Sequence, residues 1–147
     1  MIAPVDKIKK SNLNAKFVYL EDCSTKEQTL NLWQAIDLAV LHHAAGDLGK
    51  AEEIYQQILK TDPNQPIALH LLGVISYQKG DNDTAVDLIT KALKFKPDYA
   101  EAHSNLGNVF KELGRLHEAV TSYQKALDIN PDYAETYNNL SIALQDL

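Results

Sequence analysis

At 147 residues with 45% hydrophobic and 23% charged side chains, the chain has the length for one domain with a continuous core and the composition of a folded globular protein. Its net charge of −6 is uneven: residues 1–20 carry +3, from Lys7, Lys9, Lys10 and Lys16 against Asp6, and the remainder −9, so the body lacks the basic face that nucleic-acid binding requires. No run approaches the roughly 18 apolar residues of a membrane span, and no apolar stretch follows the N-terminal lysines as a secretory signal would need.

Residues 1–23 stand apart as a non-repeat segment. Four lysines without arginine read as a solvated tail rather than a nucleic-acid or lipid contact. Ala15-Lys16-Phe17-Val18-Tyr19-Leu20 reads either as a short extended apolar segment or as a turn of helix. Cys23, the sole cysteine, excludes an internal disulfide and fits a half-buried thiol in the cytoplasm. Ser24-Thr25-Lys26-Glu27 has the capping-box pattern, which predicts a first helix from about Thr25 to Ala45.

From Leu32 onward the chain repeats. Pro-Asp-Tyr-Ala-Glu occurs at 97–101 and again at 131–135, and Pro63 stands 34 residues before the first copy. Aligned on the prolines, the units are 32–65, 66–99, 100–133 and a half unit, 134–147, within a repeat domain of 24–147. Gly46, Gly80 and Gly114 share the fifteenth place and Ala51, Ala85 and Ala119 the twentieth. Tyr55, Ile89 and Tyr123 share the twenty-fourth; Ala39, Gly73, Gly107 and Ser141 follow an in-phase leucine. The apolar spacing Leu106, Val109, Phe110, Leu113 is helical. Gly114 then predicts a helix end with a left-handed C′ residue, and Pro131 stops a second helix over about 116–129. Asp98 and Asp132 are expected to N-cap the following helices, with Glu101 and Glu135 as capping-box partners. Each unit is therefore a helix–turn–helix whose apolar face is buried only by stacking on its neighbours.

The stretch AEAHSNLGNVFKELGRLHEAVTSYQKALDINPDY closely resembles a tetratricopeptide repeat (TPR), in the style of the repeats of O-GlcNAc-transferase and SPINDLY-like proteins and many bacterial TPR proteins. The resemblance covers residues 32–147; Ala39, where the family prefers glycine, and Ser76, where it places an aromatic, are departures. It implies an all-α fold, a right-handed α-solenoid of helix–turn–helix repeats, whose first helices line a concave groove. On that pattern the groove residues are Trp33, Ile36 and Val40 in the first unit, and Ile67, His70, Leu71, Val74 and Tyr77 in the second. Asn105 and Asn108 follow in the third unit, with Asn138 and Asn139 in the fourth. The first half of the groove is thus apolar and aromatic, and the second half is lined by amides.

An amide both donates to and accepts from a peptide backbone, so the in-phase Asn105 and Asn139 suggest a ladder holding an extended chain. The apolar half suggests a contact patch, for a partner or for the chain's own Phe17–Leu20 segment in cis or from another subunit. The carboxylate clamp of chaperone-binding TPR proteins is matched at one polar place only: Ile36, Val40, Leu71, Glu101 and Asn105 stand where that clamp needs lysine, arginine and asparagine, and Glu101 repels an acidic peptide. Leu140, Leu144 and Leu147 on the last helix are expected to face a missing partner, from a longer chain or from self-association.

No catalytic pattern stands out: there is no phosphate loop, nucleophile elbow, His-Glu-x-x-His or Cys-x-x-Cys. Of the five histidines, adjacent His42 and His43 diverge by about 100° on a helix, and His43 with His70 lacks further ligands for zinc. The expectation is a non-enzymatic protein-interaction module without cofactor or metal, whose partner is a protein or peptide rather than nucleic acid or membrane. The alternatives are the substrate-recruiting arm of a glycosyltransferase-like enzyme and a self-associating scaffold.

Overall fold

The computed structural model describes residues 16–20 and 27–147, with side chains from Leu30 onward. The chain divides into two compact units, Met1–Asp62 and Pro63–Leu147. The first contains an antiparallel hairpin of β1 (Lys16–Leu20) and β2 (Glu27–Asn31), followed by α1 (Leu32–Ala44) and α2 (Leu48–Thr61). The second contains α3 (Pro66–Gln78), α4 (Asn82–Phe95), α5 (Ala100–Glu112), α6 (Leu116–Ile129) and α7 (Ala134–Gln145). No helix among the described residues is long and apolar enough to cross a membrane.

The ambiguous apolar segment is extended: β1 pairs with β2 in a register that sets Lys16 opposite Asn31 and Leu20 opposite Glu27, and β1 lies against α1 and α2. The expected helix start near Thr25 is corrected. Glu27–Asn31 is strand, and α1 begins at Leu32; Ser24, Thr25 and Lys26 lie outside the described residues. The reason is a capping box at Asn31. Its side chain accepts from the Gln34 N–H at 2.9 Å, and the Gln34 Oε1 accepts from the Asn31 N–H at 3.0 Å. Both leading donors are satisfied there, so the helix has its start and the residues before it pair as strand.

Within each repeat a single tight joint connects the two helices. Gly46, Gly80 and Gly114 have φ of +82°, +83° and +70°. At the second joint the Gly80 N–H donates to the Tyr77 carbonyl and the Asp81 N–H to that of Ser76, both at 2.9 Å. This is a Schellman closure, repeated at Gly46/Asp47 and Gly114/Arg115. The residue after the glycine caps the next helix: Asp47 accepts from the Lys50 N–H at 3.3 Å and Asp81 from the Thr84 N–H at 3.1 Å. Arg115 makes no such cap. Its guanidinium instead pairs with Glu118, Nε to Oε2 at 2.6 Å, and lies 4.5 Å from the centre of the Phe110 ring.

Between repeats the expectation that Asp98 and Asp132 are N-caps is corrected. Helices α5 and α7 start one residue later, with Tyr99 and Tyr133 at the N-cap and no side-chain cap bond. Pro-Asp is instead the centre of a turn: the Tyr133 N–H reaches the Asn130 carbonyl at 3.3 Å. Proline at the second turn position supplies the fixed φ that this turn needs. The aspartates are spent on the turn, and Tyr99 stands where its side chain meets α3.

The core of the second unit runs between the helix pairs, with Ile89, Val109, Ala119 and Tyr123 fully buried; each large apolar side chain so buried is worth about 1.5–3 kcal/mol. The spacing of the pairs is set by missing side chains. A Cβ on Gly73 would stand 2.7 Å from Ile89 Cγ1, and one on Gly107 2.5 Å from Tyr123 Cε1.

Candidate functional site

In the second unit α5 touches both α3 and α7, in addition to the packing of these helices on α4 and α6. Side-chain hydrogen bonds cross this row, from His70 on α3 to Asn105 on α5 and from Asn108 on α5 to Asn139 on α7. On α3, Ile67, Leu71, Val74 and Tyr77 are half-buried, while His70 is only 3% exposed and lies beneath them. On α5, Asn105 and Asn108 are half-buried; on α7, Asn138 is exposed and Asn139 half-buried. In the first unit, Trp33 and Val40 of α1 are half-buried and Ile36 is buried.

The amides are tied down from behind. Asn105 Nδ2 lies 2.8 Å from His70 Nε2, and His70 Nδ1 lies 3.0 Å from the Tyr99 hydroxyl. The rings of His70 and Tyr99 meet edge to face, with centroids 4.7 Å apart, and Lys96 Nζ stands 4.2 Å from the centre of the Tyr99 ring. Further along, the Tyr123 hydroxyl donates to Asn108 Oδ1 at 2.8 Å, and Asn139 Nδ2 donates to the same oxygen at 3.1 Å. Ser104 and Thr136 share a buried hydroxyl bond of 2.8 Å between α5 and α7. The structure therefore brings His70, Asn105, Asn108 and Asn139 into two linked clusters, and each asparagine keeps polar groups pointing away from its anchor.

Tyr99 and Tyr123 complete these clusters and were not expected from the sequence. A signal was there for Tyr123. The ninth and twenty-fourth places read Val40 with Tyr55, Val74 with Ile89, and Asn108 with Tyr123, so an acceptor faces a hydroxyl only in the third unit. In the first unit the Tyr55 hydroxyl is buried with no hydrogen-bond partner among the described residues.

Electrostatics keep the phenols as donors. Burial, helped by Glu112, pushes the Tyr77 hydroxyl above its ordinary pKa. Burial and then Glu135 and Glu101 do the same at Tyr133, partly offset by a bond to Ser104. Burial raises Tyr123, with Tyr77 and Glu135 adding to it. A raised phenol pKa keeps the O–H present at neutral pH. Among the described residues no group of three His, Cys, Asp or Glu is arranged to hold a metal ion.

Successive 34-residue helix–turn–helix units, those of the second compact unit sharing a core between their helix pairs, define the class: an all-α helical-repeat solenoid. Family models described as TPR repeat match residues 75–114 and 107–147, and a model described as tetratricopeptide repeat matches residues 31–75. The chain belongs to the tetratricopeptide repeat family. Among solved structures it is similar to an O-GlcNAc transferase of Thermobaculum terrenum, with 32% identity, a TM-score of 0.73 and coverage of 75% of this chain. The match spans only 21% of the transferase. MamA is 23% identical with a TM-score of 0.72, covering 78% of this chain and 67% of MamA. The first TPR domain of Spaghetti (RPAP3), bound to an HSP90 peptide, is 21% identical with a TM-score of 0.72, covering 76% of this chain and 90% of that domain. The last two similarities show the fold alone. Among curated proteins none matches.

Proposed function

We propose that this chain is a protein-interaction module that holds an extended or helical peptide segment along the face formed by α3, α5 and α7. Apolar side chains dock over Ile67, Leu71, Val74 and Tyr77, and the peptide backbone bonds to Asn105, Asn108 and Asn139. The observation that carries this reading is the anchoring of the three amides. Each is oriented by a partner behind it, so little rotamer freedom remains to be lost on binding. Asn108 keeps its Nδ2 donors; Asn105 and Asn139 keep Oδ1 and one N–H each. Such a mixed set suits a backbone, which presents both polarities at every residue. The HSP90 peptide in the Spaghetti complex, SRMEEVD, is acidic. Half-buried Glu101 and exposed Glu135 on this face oppose that charge type, so a neutral or basic segment is the better fit.

The experiment is selection of peptides by display against the whole chain, followed by calorimetry on an Asn105→Ala, Asn108→Ala, Asn139→Ala variant. Losing three net hydrogen bonds of about 1 kcal/mol each weakens binding by about a hundredfold, with helicity unchanged. Equal affinity in the variant would remove the backbone-holding role.

A second reading, a substrate-recruiting arm of a larger glycosyltransferase-like enzyme, is favoured by the 32% identity to the O-GlcNAc transferase. It uses the same face, with the enzyme's substrate as the bound segment. A reading frame without a catalytic domain would exclude it. For the first unit, β1 against α1 and α2 favours the chain's own Lys16–Leu20 as the cover of its apolar residues. Deleting residues 1–23 then raises dye binding to exposed apolar surface, and no rise would count against it.

A further inference from the structure

We infer that Tyr99 and His70 are positioning residues that fix the polarity of the Asn105 amide, so that Asn105 turns its carbonyl oxygen outward and accepts a backbone N–H from the bound peptide. The inference rests on the groove reading above.

Both His70 nitrogens are engaged, Nε2 with Asn105 Nδ2 at 2.8 Å and Nδ1 with the Tyr99 hydroxyl at 3.0 Å. A neutral imidazole has one donor and one acceptor nitrogen. An amide nitrogen only donates, so Nε2 accepts from Asn105 and the ring proton sits on Nδ1, where it is donated to the Tyr99 oxygen. The opposite tautomer reverses the chain. Tyr99 would donate to Nδ1, and Nε2–H would need Asn105 turned over with its oxygen inward and its NH2 toward the groove. The proton position on a buried ring thus decides what the groove displays.

Asn139 supports the same polarity. It is the in-phase residue one repeat on, and it too donates its Nδ2 back to the preceding first helix, at Asn108 Oδ1. Two asparagines 34 residues apart therefore face a ligand with their oxygens, and between them Asn108 offers N–H groups because Tyr123 and Asn139 occupy its oxygen. At 3% exposure His70 is out of a ligand's reach, so it acts on the peptide only through Asn105.

The test uses the full chain and needs no ligand for its first arm. In a long-range 1H–15N spectrum of 15N-histidine protein, His70 shows an acceptor-type Nε2 and a protonated Nδ1. In Tyr99→Phe this preference relaxes; helicity stays intact, because Tyr99 caps α5 without a side-chain bond. In the second arm, Tyr99→Phe weakens a display-selected peptide about fivefold, the worth of one net hydrogen bond. In the Asn105→Ala background it has no further effect. A protonated Nε2 in the wild-type chain, or equal weakening by Tyr99→Phe in both backgrounds, overturns the relay even while Asn105→Ala still weakens binding. An Asn105→Ala variant of wild-type affinity, with the tautomer as described, overturns the groove reading and this inference with it.

Discussion

Replacing Gly107 by Ala tests how the helix spacing is set. A methyl there would meet Cε1, Cδ1 and Cζ of Tyr123 at 2.5, 2.6 and 2.9 Å, inside any normal carbon–carbon contact. The ring has no room to withdraw: Tyr123 is 0% exposed, and its hydroxyl is tied to Asn108 on the same helix as Gly107. Overpacking of this kind costs about 1–3 kcal/mol, against a helix-propensity gain of at most about 1 kcal/mol for Gly to Ala. With the full propensity gain the balance is a loss of up to about 2 kcal/mol, each kcal/mol being roughly 4–8 °C in a unit of this size. Far-UV circular dichroism melts with urea titration read it directly. The comparator is Ala39→Gly in the first unit, where the chain already sets an alanine in phase against a fully buried tyrosine, Tyr55. With no crowding to relieve, that change adds glycine's backbone entropy, about 0.5–1 kcal/mol, to the loss of a fully buried methyl, about 0.8 kcal/mol. A Gly107→Ala variant melting above wild type, as helix propensity alone would give, would refute the close-approach argument.

Three further outcomes follow from single contacts. Tyr123→Phe removes the bond to Asn108 and lowers stability by about 1 kcal/mol, whereas Tyr55→Phe, which deletes a buried hydroxyl without a partner among the described residues, is neutral or stabilising by up to about 1 kcal/mol; paired urea titrations give the sign of each. Gly114→Ala puts a side chain at φ +70° and costs about 1–2 kcal/mol, checked by thermal melts against Gly107→Ala. Thr84, through its side chain and then its N–H, holds the Asp81 carboxyl below its ordinary pKa. The folded value lies below the unfolded one, so that stability is present above about pH 4 and lost as pH falls through the folded pKa. Asp81→Asn keeps a cap but not the titration, so its melting temperature falls less than wild type between pH 5 and 2.

Sequence reasoning reached the framework because the framework is periodic. Gly46, Gly80 and Gly114 carry positive φ where the repeat demanded a helix end, and Gly107 lies against Tyr123 where a small residue was required. It missed where two local rules competed. Asp98 and Asp132 suit an N-cap and a turn equally, and the adjacent proline decided for the turn, moving each helix start to a tyrosine. Ser24–Glu27 fits a capping box by pattern, yet Asn31 with Gln34 makes the one that starts α1. At the candidate site, the residue types on the face were legible but their partners were not. Tyr99 bonds His70 across 29 residues of chain and Asn139 bonds Asn108 across 31, and such pairings exist only once the repeats have stacked.

The pairing of the ninth and twenty-fourth places separates framework from display. Tyr123 fills the core in the same place as Tyr55 and Ile89, and any of the three suffices for packing. Only Tyr123 has an asparagine above it, and there a core residue also aims an amide on the face. The device can therefore be transplanted. Val40→Asn gives an acceptor to the Tyr55 hydroxyl, which is buried with no partner among the described residues, a gain of about 1–3 kcal/mol. Against this stands part of one half-buried valine, below about 1.5 kcal/mol, with helix propensities of Val and Asn nearly equal. The expected result is a gain of up to about 1 kcal/mol that disappears in the Tyr55→Phe background, because the phenylalanine has nothing to donate. A gain of the same size in both backgrounds, or a loss above about 1 kcal/mol in the single variant, would show that the asparagine does not meet the hydroxyl and that the third repeat's geometry is not a property of these two places alone.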